Sequence, residues 1–315
     1  MLGAISAKKY GLKFLIKQNM RPFLMMLFLL KAFIGFGQVD LFFPLTEEFD
    51  WTSIEKQNLE FKRMFIKNHP EEFEYYKLND EYTPSLSDLE NHLHIIDFNG
   101  DGLDDIIFHG ESGGEPIEIS IFINTGDSFV KIFTEEQQIH KIVFENGKVH
   151  KLYIQDDGCC CADIGINKIF TVDYSSKLPK INLITEMQYI KWRFNTHSDN
   201  NDNNAEYPSH YFDKPIKFEI LNDKYNIRFS PFIDGSTEFA HCGQFWDGNS
   251  VGKIKFGSIG YALAEKTDST GRIWWFVAMD PNSVIYESIY YDDKISPNSY
   301  KLGWISSRFV KKIEE

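Results

Sequence analysis

The stretch His94-Ile95-Ile96-Asp97-Phe98-Asn99-Gly100-Asp101-Gly102-Leu103-Asp104-Asp105-Ile106-Ile107-Phe108 decides how the first half of this chain is read. Two short apolar runs flank a loop, 97–105, with oxygen-bearing side chains at its positions 1, 3, 5 and 9 and glycine at position 6. Apolar runs bounded by Gly, Asn and Asp read as strands joined by a turn. Asp97, Asp101, Asp104 and Asp105 repel one another at this spacing, and a divalent cation relieves that repulsion. Calcium accepts about six to eight oxygen ligands, so Asp97, Asn99, Asp101 and Asp105 are expected as side-chain ligands and Leu103 as a main-chain carbonyl ligand. Magnesium fits less well, because so many protein oxygens displace the waters it retains. The alternative is an acidic hairpin turn that holds no metal.

The flanking chain carries the same punctuation. Residues 51–68 show helical spacing through Ile54, Leu59, Phe61, Met64 and Phe65 and stop at Pro70. Strands are expected near 93–97, 104–109, 117–123, 128–133, 139–145, 148–154, 166–173 and 187–194, an antiparallel meander. Its turns lie at Asn124–Asp127 and Glu145–Lys148, where Asn146-Gly147 supplies the positive φ of a tight hairpin. From Asn195 to Asn204 no large apolar side chain occurs, so residues 195–210 read as a linker. A second β-rich region, 211–315, follows. The fold class expected is mainly β: a blade-like meander domain (38–194) with an N-terminal helix, then a small β-barrel.

The loop meets the pattern D-x-N-x-D-G-x-x-D at Asp97, Asn99, Asp101, Gly102 and Asp105. In its strand–loop–strand setting it resembles the calcium loops of FG-GAP/VCBS repeats, which implies a blade of propeller type. It is not an EF-hand, since Phe108 stands where the terminal Glu would be. One loop is present, and residues 75–195 leave room for two or three blades.

In the second region Tyr225-Asn226-Ile227-Arg228-Phe229-Ser230-Pro231, Val251-Gly252, Trp274-Trp275-Phe276-Val277 and Gly303-Trp304-Ile305 follow one another, ending at Phe309-Val310. This order resembles the bacterial SH3 domain family over roughly 215–313, with insertions at 234–249 and 281–300. The resemblance implies an SH3-like barrel contacting a cell-wall peptide, a glycan or a partner domain, with Trp246, Trp275 and Trp304 as candidates for a ligand groove. Large aromatics also form the cores of small barrels, the alternative for each.

Residues 1–37 hold six basic residues and no acidic one, a short run from Phe23 to Phe36 that is apolar apart from Lys31, and Gly35 and Gly37 before Gln38. These are the parts of a secretory signal peptide, its start at Met1 or Met20; an uncleaved anchor is the alternative. After cleavage no membrane span is expected. Removing that segment from a chain with 33 basic and 46 acidic residues leaves 27 against 46, so nucleic acid is excluded as a partner. Cys159, Cys160, Cys161 and Cys242 in an exported chain point to disulfides, with zinc or free thiols as alternatives. Cys242-Gly243-Gln244-Phe245-Trp246 resembles a papain-type nucleophile segment only superficially, and no P-loop, dinucleotide fingerprint, G-x-S-x-G or H-E-x-x-H occurs. The expectation is therefore a secreted or periplasmic, non-catalytic binding protein with calcium as its metal. Its partner is an envelope peptide or glycan, or a protein. A metal-free interaction module and an unrecognised cell-wall hydrolase are the rival readings.

Overall fold

The computed structural model describes residues 49–73, 86–111, 117–156, 164–191, 194–195, 206–241, 244–289 and 298–314. The signal segment 1–37, residues 196–205 of the expected linker and all four cysteines lie outside these residues. The fold is mainly β with antiparallel sheets, as the sequence implies; its helices are α1 (Leu59–Asn68) and α2 (Leu86–His92).

Helix α1 starts later than the apolar spacing suggests. The Asn58 side chain accepts from the Phe61 amide and caps the helix at Leu59, while Asp50 caps a separate one-turn 3-10 helix, Trp51–Ser53. Between them the Lys56 amide donates to the Ile95 carbonyl at 2.7 Å, so this segment is spent on sealing a strand edge rather than on helix.

The first half is two four-stranded antiparallel meanders. The first comprises β1 (Leu93–Ile96), β2 (Asp105–Glu111), β3 (Ile117–Asn124) and β4 (Phe129–Glu135); the second comprises β5 (Gln138–Glu145), β6 (Lys148–Asp156), β7 (Ile164–Asp173) and β8 (Lys180–Ile190). Strand alternation sends Leu93, Ile95, Ile106, Phe108 and Phe122 to one face, where Phe65 and Leu89 of the helices meet them. Ile96, Ile107, Ile119, Ile121 and Ile123 face the other way, onto Ile139, Leu152 and Ile154 of the second meander. With both faces covered, β1 is buried at all four positions, His94 included, and each buried Ile contributes about 1.5–3 kcal/mol. At the β5–β6 turn Asn146 and Gly147 take φ of 53° and 77°, as the Asn-Gly pair requires.

A short strand β9 (Phe194–Asn195) leads into the second half, made of β10 (Ile216–Ile220), β11 (Tyr225–Arg228), β12 (Glu238–His241), β13 (Gln244–Asp247), β14 (Ser250–Ile254), β15 (Ile259–Thr267), β16 (Ile273–Met279), β17 (Ile285–Tyr286), β18 (Ser299–Ser306) and β19 (Val310–Lys312). Its main path runs β19-β10-β15-β16-β18, and a 3-10 turn, Ser307–Phe309, connects β18 to β19. Among the described pairings this path does not close into a ring. The insertion at 234–249 forms the β12–β13 hairpin, which pairs back to β9.

The two halves share a sheet. β18 runs parallel to β8, with Ser299, Tyr300 and Lys301 opposite Glu186, Met187 and Gln188. Ile169, Met187 and Tyr189 then join Trp274, Phe276 and Trp304 in one buried cluster. The end of the expected linker is fixed in place as well. The Trp304 indole donates to the Glu206 carbonyl at 2.6 Å, the Glu206 amide donates to Phe229, and the Tyr207 hydroxyl donates to the Ile190 carbonyl. Among the described residues no helix is long and apolar enough to cross a membrane.

Candidate functional site

The loop 97–105 joins β1 to β2 and is moored by Phe98, which is fully buried. The Phe98 amide donates to Asp105 Oδ2 at 2.8 Å, and its carbonyl accepts from the Val149 amide at 2.9 Å and the Tyr174 hydroxyl at 3.0 Å. Gly100, at φ +71°, lies so close to the β5–β6 turn that an added Cβ would meet Lys148 Cγ at 2.8 Å and the Gly147 carbonyl at 3.1 Å. The chain therefore has to be glycine there.

Within this frame the loop curls on its own amides. Asp97 Oδ1 and Asn99 Oδ1 both accept from the Asp101 amide, at 3.1 and 2.9 Å, and Asp97 Oδ2 accepts from Gly102 at 3.0 Å. Asp101 accepts from the Leu103 amide and from the Asn99 side-chain amide, at 2.8 and 2.9 Å. Asp97, Asn99 and Asp101 are thus brought together. Asp105 stands apart: fully buried, it accepts from Phe98 with one oxygen and from the Asn124 amide of β3 with the other, at 2.8 Å each. Burial, reinforced by the nearby Asp101 charge and opposed by these amide bonds, pushes its carboxyl up to about 6. The Leu103 side chain points to solvent.

One cation already serves this loop. Lys56 reaches Asp104 at 2.5 Å, and that hydrogen bond together with the charges of Asp104, Asp97 and Asp105 raises its pKa. Against four carboxylates it leaves the loop strongly negative. Among the described residues no three His, Cys, Asp or Glu side chains gather as a metal-holding group. The donor set nevertheless suits a hard cation in type, since each loop oxygen accepting a single hydrogen bond keeps a second lone pair.

The tryptophans require a correction. Trp304 is fully buried and Trp275 is 5% exposed, both within packed apolar clusters, so neither lines a groove. Their position on β16 and β18, the central strands of the second half, makes them core. The Trp246 side chain lies outside the described residues, as do the cysteine pairings.

A second polar cluster has no counterpart in the sequence reading. Trp51 stacks on His94, which shares a 2.7 Å hydrogen bond with Glu55; His109 accepts from the Ile139 amide at 3.3 Å, and the His92 ring donates to the His109 carbonyl at 3.1 Å. The His94 and Glu55 side chains are 9% and 11% exposed, so this pair fastens the N-terminal segment to β1. Glu55 and His94 are 39 residues apart, too far for any local pattern to join them. Compared with protein-family models, curated proteins and solved structures, the chain matches none.

Proposed function

We propose that this chain is an exported, non-catalytic binding protein. Calcium held by Asp97, Asn99, Asp101 and the Leu103 carbonyl would stiffen its first half, with Asp105 bracing the loop through its two buried amide bonds, and its second half would contact a cell-envelope peptide or glycan. The observation that carries the metal assignment is the curl of the loop, in which Asp97 and Asn99 turn their oxygens onto one amide beside a strongly acidic surround. The four-stranded meander β1–β4, with the loop between its first two strands, supports a blade of FG-GAP/VCBS type. The path β19-β10-β15-β16-β18, with a 3-10 turn before the last strand, supports an SH3-like second half.

A ligand that binds only the folded state adds about 2.7 kcal/mol at about a hundredfold excess over its Kd. The test is therefore a thermal melt of the full chain in calcium and in chelator, alongside co-sedimentation with purified cell wall. A rise of several degrees in calcium, together with retention on the wall, is expected; identical melts would remove the metal, and no retention would remove the envelope ligand. The metal-free interaction module is favoured by one observation, the resident Lys56–Asp104 pair, which already neutralises part of the loop.

A further inference from the structure

Among the described residues the second half keeps eight large apolar side chains in water, and the segments that carry four of them are tied to one another. Leu221, Phe256, Val284 and Phe309 are 42%, 58%, 45% and 46% exposed. Main-chain bonds hold their segments together. The Leu221 amide donates to the Phe309 carbonyl at 2.9 Å, the Gly257 amide to Ile220 at 2.9 Å, and the Lys255 amide to Val284 at 3.0 Å. The Tyr225 ring meets Phe309 edge-on at 6.0 Å, and its hydroxyl is anchored on the Ser306 carbonyl at 2.8 Å. The inward positions of the same strands, Phe218, Ile220, Ile227 and Ile254, already fill the core, so this rim is not unfinished packing.

The charge around the rim has the opposite sign to the chain. The protein carries −13 overall, yet Lys224, Lys255, Arg308 and Lys311 stand exposed in these segments, and none makes an ion pair among the described residues. The nearby acids are fewer and partly engaged: Asp223 accepts from the Phe256 amide at 3.2 Å, Glu287 is paired with Lys253 and also feels Lys224, and Glu219 stands opposite Lys311 in the β10–β19 register.

We propose that this rim (Leu221, Tyr225, Phe256, Val284 and Phe309) is a docking surface for an acidic peptide segment carrying apolar anchor residues. The inference rests on the reading of the second half as a binding module and places its contact away from the buried tryptophans. Apolar anchors supply affinity, and the surrounding cations set approach and register.

The test uses the full chain and two synthetic fluorescent peptides with the same Leu and Phe anchors, one flanked by Glu and one by Lys. Fluorescence anisotropy is expected to show the Glu-flanked peptide binding about tenfold or more tightly. Phe256→Ala and Phe309→Ala should each weaken it about tenfold while the melting temperature holds, and a Lys255→Glu/Arg308→Glu double variant should reverse the preference. Equal binding of both peptides, binding of neither, or unchanged affinity in the variants would overturn the proposal. So would anionic phospholipid vesicles retaining the protein where the Glu peptide fails. Failure of the wider reading is distinguishable. Wall retention that survives Phe309→Ala defeats the rim alone; peptide binding without wall retention defeats the envelope assignment alone.

Discussion

Trp51 lies flat against His94, ring centroids 3.7 Å apart and planes 7° from parallel, and Glu55 closes the same histidine from the side at 2.7 Å. The N-terminal segment is thereby pinned to β1 by a neutral imidazole in a nearly dry setting. Burial pulls both His94 and His109 down to about 4, partly offset at His94 by the Glu55 hydrogen bond and charge. Lys62 and His92 also bear on His94, and His92, His94 and His140 on His109.

A histidine depressed in the fold adds stability that is complete above its unfolded pKa of about 6.5 and is lost as pH falls toward 4. The chain should therefore weaken between pH 6.5 and 4, by roughly 2–3 kcal/mol per histidine. Asp105 acts in the opposite sense, since a carboxyl raised to about 6 favours the fold as it protonates below that pH. His94→Asn keeps an Nδ1-like donor for Glu55 while removing one titration. Urea denaturation at pH 7 and 4.5 should show a smaller drop for this variant than for the parent.

Asp105 holds two strands to the loop by two buried amide bonds. Asp105→Ala leaves the Phe98 and Asn124 donors unsatisfied and should cost about 2–5 kcal/mol in chelator, read by chemical denaturation. A loss under about 0.5 kcal/mol would mean that water reaches both amides.

The Tyr174 hydroxyl spans the Phe98 and Val149 carbonyls at 3.0 and 2.7 Å, joining the acidic loop to the second meander. Tyr174→Phe removes that tie and should lower stability by about 1 kcal/mol without altering the packing of the ring.

Trp304 is closed in by Phe276 at 5.3 Å and bonded to Glu206. Trp304→Ala should destabilise by about 3–5 kcal/mol, the cost of a core cavity; a neutral effect would restore it as a groove residue. Met187→Ala, at the β8–β18 junction, should lower both halves in a single transition, because its cluster draws on both.

Much of this architecture is legible in the chain because it is local. Ile119, Ile121 and Ile123 alternate, Asn146-Gly147 marks its hairpin, and Asp97, Asn99 and Asp101 repeat at a spacing of two. Helix α2 escapes, since Leu86–His92 offers Leu89 as its main apolar contact. The opening of β8 escapes because Leu183 and Ile184 stand in solvent, so inside and outside do not differ in polarity there. The parallel β8–β18 contact, the Lys56–Asp104 pair and the reach of Asp105 to Asn124 join residues far apart in sequence, and no local pattern encodes them.

The metal assignment is tested most directly by calorimetric titration of the full chain with calcium, beside an Asp97→Ala/Asp101→Ala variant. A saturable one-site isotherm is expected for the parent and none for the variant. Absence of saturable heat in the parent, or the same isotherm in both proteins, would contradict that assignment.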